Sequence, residues 1–234
     1  MNEQDVAVII GAGVGLSASL ARKFSDNGMK IALAARNPDK LTGVADDTNA
    51  KIYSCDATNL EQVNKLFDDV VSDLGVPNVA IFNASARVRG EITNIDPKEV
   101  KDALLVTAYG GFLVGQTAAK LMVPKKQGTI FFTGASAGVK GFPMSATFAM
   151  GKFGLRGLAQ SMARELHPQN IHIVHVVIDG GIRSVDKGRV ESSEDTPDRW
   201  LDPDAIADTY WHLHKQPRSS WSWEIEVRPW VETF

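Results

Sequence analysis

Short apolar runs alternate along this chain with longer segments in which apolar residues return every three or four positions. The runs Val6–Ile10, Lys30–Ala35, Lys51–Cys55, Asn78–Phe82, Thr129–Thr133, Ile171–Ile178 and Trp223–Val227 have the length and composition of strands. The segments Val14–Asn27, Lys40–Asp47, Leu60–Leu74, Lys98–Met122, Ser145–Leu166 and Asp204–Lys215 carry the helical period. Gly28 is placed to cap the first helix, because glycine alone turns left-handed without strain. Asp96-Pro97 and Asp202-Pro203 each pair a side-chain acceptor with a ring pre-set for the first helical turn. Strand–helix alternation predicts one α/β domain over residues 1–234, a doubly wound parallel sheet of about seven strands with helices on both faces. The unbroken apolar character of Val6–Ile10 and Ile171–Ile178 fits strands buried on two sides. The last strand alternates, with Trp221, Trp223, Ile225 and Val227 on one face, as an edge strand does. A packed C-terminal edge and a subunit contact both suit that tryptophan-rich tail.

Composition narrows the class without choosing a chemistry. The chain has 234 residues, 44% hydrophobic and 23% charged, in the range of a globular domain. A formal net charge of −3 gives no reason to expect a nucleic-acid partner. The apolar stretch Val6–Ala21 is too short and glycine-rich to span a bilayer, and acidic Asn2-Glu3-Gln4-Asp5 precedes it, so no membrane partner or secretory signal is expected. The single cysteine, Cys55, excludes an intrachain disulfide and points to a reducing, cytoplasmic setting. Cys55 reads as a small buried residue. No metal site is expected: His172 and His175 are three apart on a strand and face opposite ways, and His212 and His214 diverge on a helix. Solvated or capped histidines are the expectation.

The first turn carries a chemical signal. Gly11, Gly13, Val14, Gly15 and Leu16 stand between a buried strand and a helix. Glycines there let the backbone approach a pyrophosphate, and the helix N-terminus offers free N–H groups. After the second strand comes Arg36, and no Asp or Glu occurs from Gly28 to Pro38. A carboxylate for a free ribose hydroxyl is missing, and a guanidinium suited to a 2′-phosphate is present, which favours NADP(H) over NAD(H).

A second signal is Phe148, one helical turn before Lys152 and on the same face. A phenol beside that ammonium would be a general acid/base. A phenyl ring cannot exchange a proton.

With these pieces placed, the chain resembles the short-chain dehydrogenase/reductase family over essentially its whole length. The opening motif Thr-Gly-x-x-x-Gly-x-Gly reads Ile10-Gly11-Ala-Gly-Val-Gly15-Leu-Ser17. Asp56 and Ala57 resemble the stretch whose Asp contacts adenine. Asn83, Ala84 and Ser85 resemble the segment that lines the cofactor after the fourth strand. Asp179-Gly180-Gly181-Ile182 stands where that family has Pro-Gly and a residue touching the nicotinamide. The resemblance implies a Rossmann-type fold, a small-molecule substrate, a homodimer or homotetramer built on the helices Lys98–Met122 and Ser145–Leu166, and a substrate lid near residues 183–203.

The family's catalytic set is Asn, Ser, Tyr and Lys. Of these Lys152 matches. The Tyr position is Phe148, the Ser position is Ala135 with Ser136 one residue on, and the Asn position is Thr107. Losing general acid/base catalysis forfeits roughly 10²–10⁴ in rate, about 3–5 kcal/mol. Three readings follow. One is an NADP(H)-dependent oxidoreductase acting on a carbonyl, imine or enone, with Ser136, Ser145 or Tyr109 orienting a water or donating directly. Another is a cofactor-binding protein with little catalysis. A third is a serine hydrolase through Ser136, because Gly134-Ala-Ser136-Ala-Gly138 follows a strand as a nucleophile elbow does.

Overall fold

In the computed structural model, which describes residues 4–192 and 197–233, seven strands form one parallel sheet in the order β3-β2-β1-β4-β5-β6-β7. The strands are β1 Val6–Ile10, β2 Lys30–Ala35, β3 Lys51–Ser54, β4 Val79–Phe82, β5 Thr129–Thr133, β6 His172–Ile178 and β7 Glu224–Val227. The helices are α1 Leu16–Asp26, α2 Thr42–Thr48, α3 Leu60–Asp73, α4 Pro97–Leu104, α5 Gly110–Met122, α6 Ala146–Leu166 and α7 Pro203–His214.

Period-two alternation divides the apolar side chains between two layers. Val6, Val8 and Ile10 of β1 face a core with α3, α5 and α6. Ala7 and Ile9 face a core with α1, α2 and α7. Both faces of the central strands are therefore dry, as their unbroken apolar runs require. Asp96 and Asp202 cap α4 and α7 as expected, each accepting a backbone N–H in the first turn. Gly28 takes the left-handed φ of +86° just past α1.

Two expectations about the elements change. The segment Lys98–Met122 is not one helix. A π-helical turn, Leu105–Tyr109, separates α4 from α5. An inserted residue leaves the apolar period almost untouched, so pattern alone does not reveal it, and such turns gather at functional sites. The C-terminal edge also divides differently. Ile225 and Val227 pack on the α1–α7 side, whereas Trp223 packs on the α6 side. Trp223 precedes the paired strand and escapes its alternation.

The strand order reverses between β1 and β4. Loops leaving the carboxyl ends of these neighbours run in opposite directions and open a crevice, the position where open parallel sheets take ligands. No helix among the described residues is long and apolar enough to cross a membrane.

Candidate functional site

The crevice is a cleft of about 1130 Å³ at the carboxyl ends of β1, β4, β5 and β6. One wall is made of backbone. Gly11 has φ +78°, and a Cβ on it would lie 2.4 Å from Ala84 N, so only glycine lets these two loops meet. The N–H groups of Gly11 and Ala12 both donate to Ala34 O at 3.0 Å, tying the turn to the end of β2. Gly13 and Gly15 have open space where a side chain would project. Gly15 precedes α1 without any side-chain cap, and the first turn of α1 holds no acid. The N-terminal N–H groups and the positive end of the helix are thus left for an external anion. This donor set fits the phosphates of a dinucleotide.

Asn83 closes the wall. Its Nδ2 donates to Ser17 Oγ at 2.7 Å, joining the β4 loop to α1.

The opposite wall is made of side chains. Lys152 on α6 is buried, and its Nζ donates to Thr133 O at 2.6 Å. Burial holds its pKa down to about 8 from the ordinary 10.5. Phe148 stands one turn away, its ring centroid 5.8 Å from Lys152 Nζ and 5.2 Å from the Arg87 guanidinium carbon. Arg87 also donates through Nη2 to Ser145 Oγ at 3.2 Å. Ala135 and Ser136 both line the cleft. Thr107, on the π-helical turn, is buried, and its Oγ1 accepts from Ala86 N at 3.0 Å.

The cleft brings together Gly11, Gly13, Gly15, Leu16, Asn83, Ser85, Ser136, Phe148, Lys152, Gly180 and Ile182. Ala84 backs the glycine turn. Val14 forms its exposed tip. Arg36, Asp56 and Ala57 lie outside the cleft walls. Arg36 is exposed at the end of β2, two residues past Ala34, and makes no ion pair among the described residues. The Asp56 carboxylate accepts from Thr58 N and Oγ1. Ile182 bridges to Leu201 at the base of the segment 183–203. Residues 193–196 of that segment lie outside the described residues.

Several expectations are corrected. Tyr109 does not reach the cleft; it is 43% exposed and stacked on Phe112. The histidines of β6 are not solvated: His172 and His175 are both buried. His175 Nδ1 lies 2.9 Å from Glu224 Oε2, and a carboxylate only accepts, so Nδ1 carries the proton. Among the described residues its Nε2 has no hydrogen-bond partner; it lies against Gly134, where a Cβ would come within 2.5 Å. Burial pushes the pKa of His172, His175 and His214 each down to about 4. Cys55 is buried as expected, with its thiol pushed up to about 11.

Sequence reasoning passed over Ser17, Arg87 and Arg89 as site residues. The alternation Arg87-Val88-Arg89 directly after the Asn83 segment was the available signal.

The model of short chain dehydrogenases matches residues 5–194. The chain belongs to the short-chain dehydrogenase/reductase family. A solved short-chain dehydrogenase from Rhodopseudomonas palustris is 35% identical, with a TM-score of 0.83 over 97% of this chain and 99% of that one. A metagenomic short-chain oxidoreductase in complex with NADP is 27% identical, with a TM-score of 0.83 over 97% of this chain and 98% of that one. An uncharacterized oxidoreductase of Staphylococcus aureus (strain N315) is 26% identical over 227 residues, 96% of each chain. The short-chain dehydrogenase/reductase fold binds NAD(P), and this chain is an oxidoreductase of that family.

Proposed function

We propose that this protein is an NADP(H)-dependent reductase of small carbonyl, imine or enone compounds, working without the phenolic acid of its family. The observation that carries the reading is the cleft itself: an uncapped helix behind an open glycine turn faces a buried Lys152 across the strand-order reversal. When bound, the nicotinamide supplies hydride. Gly11, Gly13, Val14, Gly15 and Leu16 hold the phosphates; Asp56 and Ala57 flank the adenine; Asn83, Ala84, Ser85, Gly180 and Ile182 line the remaining length. Arg36, with no acid from Gly28 to Pro38, favours NADP(H) over NAD(H). Lys152 acts as a cation that clamps the ribose, since Phe148 gives it no phenol to activate. The segment 183–203 is the substrate lid.

Phe148 leaves the proton to another group. Ser136 and Ser145 both line the cleft and carry hydroxyls. Arg87 donates to the Ser145 oxygen, and among the described residues the Ser145 hydroxyl's own proton has no acceptor. A substrate that needs no proton at the hydride-accepting group, such as an iminium, avoids the problem.

A second reading, a cofactor-binding protein with little catalysis, is favoured by one specific observation: Phe148, Thr107 and Ala135 replace three members of one catalytic set. The Gly-x-Ser-x-Gly match favours a hydrolase, but the local geometry does not. Ser136 opens a single 3₁₀ turn, and α6 starts only at Ala146.

Exposed Tyr109 and Phe112 on the α4–α5 segment, with Met150 and Phe153 on α6, support a homodimer or homotetramer through these helices. A small-molecule partner, no nucleic acid, no membrane and a cytoplasmic setting complete the reading.

Titration with NADPH and NADH, followed by tryptophan fluorescence, tests the first step. Saturable binding with NADPH preferred is expected; absence of binding defeats both readings. NADPH consumption across carbonyl, imine and enone panels then separates them.

A further inference from the structure

We infer that the substrate carries an acidic group, a carboxylate or phosphate, held by Arg87 and Arg89. This rests on the reading of the cleft as an NADP(H) site and names the class of compound that enters beside the cofactor.

The cleft is far more basic than the chain around it. The whole protein has a net charge of −3. Yet Arg87, Arg89, Lys187 and Arg189 all line this one cleft, and among the described residues none of the four has a carboxylate partner. The acids on the same wall are Asp179, engaged by Lys140 and Arg228, and Glu232. Four cations facing one concavity repel each other. Low-dielectric walls focus that field, which favours an anionic ligand.

The cofactor's phosphates do not account for Arg87. Its contacts are with the α6 side of the cleft, the Phe148 ring and Ser145 Oγ, and not with the glycine turn. The ring beneath and the hydroxyl at Nη2 hold the guanidinium in place. Its remaining N–H groups form a fork of the kind that pairs two oxygens of a carboxylate or phosphate. Arg89 lies two residues on, beside Gly90, whose N–H donates to Met144 O and docks this segment along the start of α6. The Phe148 ring centre lies 5.2 Å from the Arg87 guanidinium carbon and 5.8 Å from Lys152 Nζ, so both cations sit against the same ring. An acid bound at Arg87 therefore places the rest of a small molecule within a few bonds of the candidate reaction centre. Lys187 and Arg189, on the segment after β6, add positive charge to the same cleft.

The test is calorimetry on protein saturated with NADP⁺. The probes are pyruvate, acetoacetate and levulinate, each against its methyl ester, and dihydroxyacetone phosphate against dihydroxyacetone. At least one charged probe is expected to bind about ten- to a hundredfold more tightly than its neutral counterpart, the range of charge-assisted hydrogen bonds. That preference should shrink as ionic strength rises. Arg87→Met and Arg89→Met should each reduce it about tenfold while leaving NADPH affinity within about twofold. Whichever probe pair shows the preference distinguishes carboxylate from phosphate. Equal binding of charged and neutral probes overturns the inference on wild-type protein alone. An equal loss of NADPH affinity in Arg87→Met also overturns it, by assigning the cation to the cofactor. Failure of wild type to bind NADPH defeats the underlying reading instead.

Discussion

The two walls of the cleft are built from different materials. Around the glycine turn the working groups are main-chain N–H donors and a helix end, held by Gly11 against Ala84 and by two hydrogen bonds to Ala34 O. Around α6 they are side chains: Lys152, Phe148, Ser145 and Arg87. Main-chain donors stay in place through substitutions that spare the glycines, Ala84 and the Asn83–Ser17 hydrogen bond. A side-chain wall changes function with a single replacement, because one hydroxyl separates an acid from an inert ring. That difference makes the α6 wall, rather than the glycine turn, the place where one replacement can alter the chemistry proposed for the cleft.

The contrast can be broken at either wall. The largest effect is expected from Phe148→Tyr, which places a phenol one turn from Lys152. Carbonyl reduction should rise about a hundredfold or more, measured as NADPH turnover. No gain would show that Ala135 and Thr107 matter as much as the ring. Next is Gly11→Val at the backbone wall. A side chain there meets Ala84 N at 2.4 Å under a left-handed φ, so unfolding free energy should fall by about 3 kcal/mol and NADPH binding should vanish.

Lys152→Met tests both the proposed clamp and the cost of burying this lysine. The wild-type lysine has a folded pKa of about 8, below the ordinary 10.5, so the unfolded chain binds more protons between these values. Wild-type stability should therefore gain about 3 kcal/mol relative to the variant from pH 7 to pH 10.5, read by denaturant titration. NADPH affinity should fall at neutral pH.

A smaller effect is expected from Arg36→Leu. NADPH should bind about tenfold more weakly and NADH nearly unchanged, by fluorescence titration. Equal losses for both would remove Arg36 from the 2′-phosphate.

The mildest change is His175→Gln. Folded pKa values of about 4 against an ordinary 6.5 mean that stability is complete above pH 6.5 and lost as pH falls toward 4. The variant should flatten that slope by at most about 1.4 kcal/mol per pH unit.

Much of this was legible along the chain. Val6–Ile10, Lys30–Ala35 and Thr129–Thr133 were read with the bounds they have, because buried parallel strands are continuous apolar runs closed by turn residues. The spacing of Phe148 and Lys152 set their common face. The π-helical turn at Leu105–Tyr109 was not legible, because one inserted residue hardly disturbs a 3.6-residue period. Nor were the buried rings of β6: a histidine's solvation depends on what the next strand brings, here Glu224 to His175 and Ser222 O to His172.

By itself the sequence determined most of the strands, the strand–helix alternation, the glycine turn and the phenyl ring at Phe148, since each follows from the local period or from the chemistry of one side chain. Only the tertiary structure decided what meets what. It set Arg87 against Phe148 and Ser145, seated the glycine turn against Ala84, and turned Tyr109 away from the cleft. These pairings join residues far apart in the chain, and they arise from strand order and helix packing, to which no local pattern is sensitive.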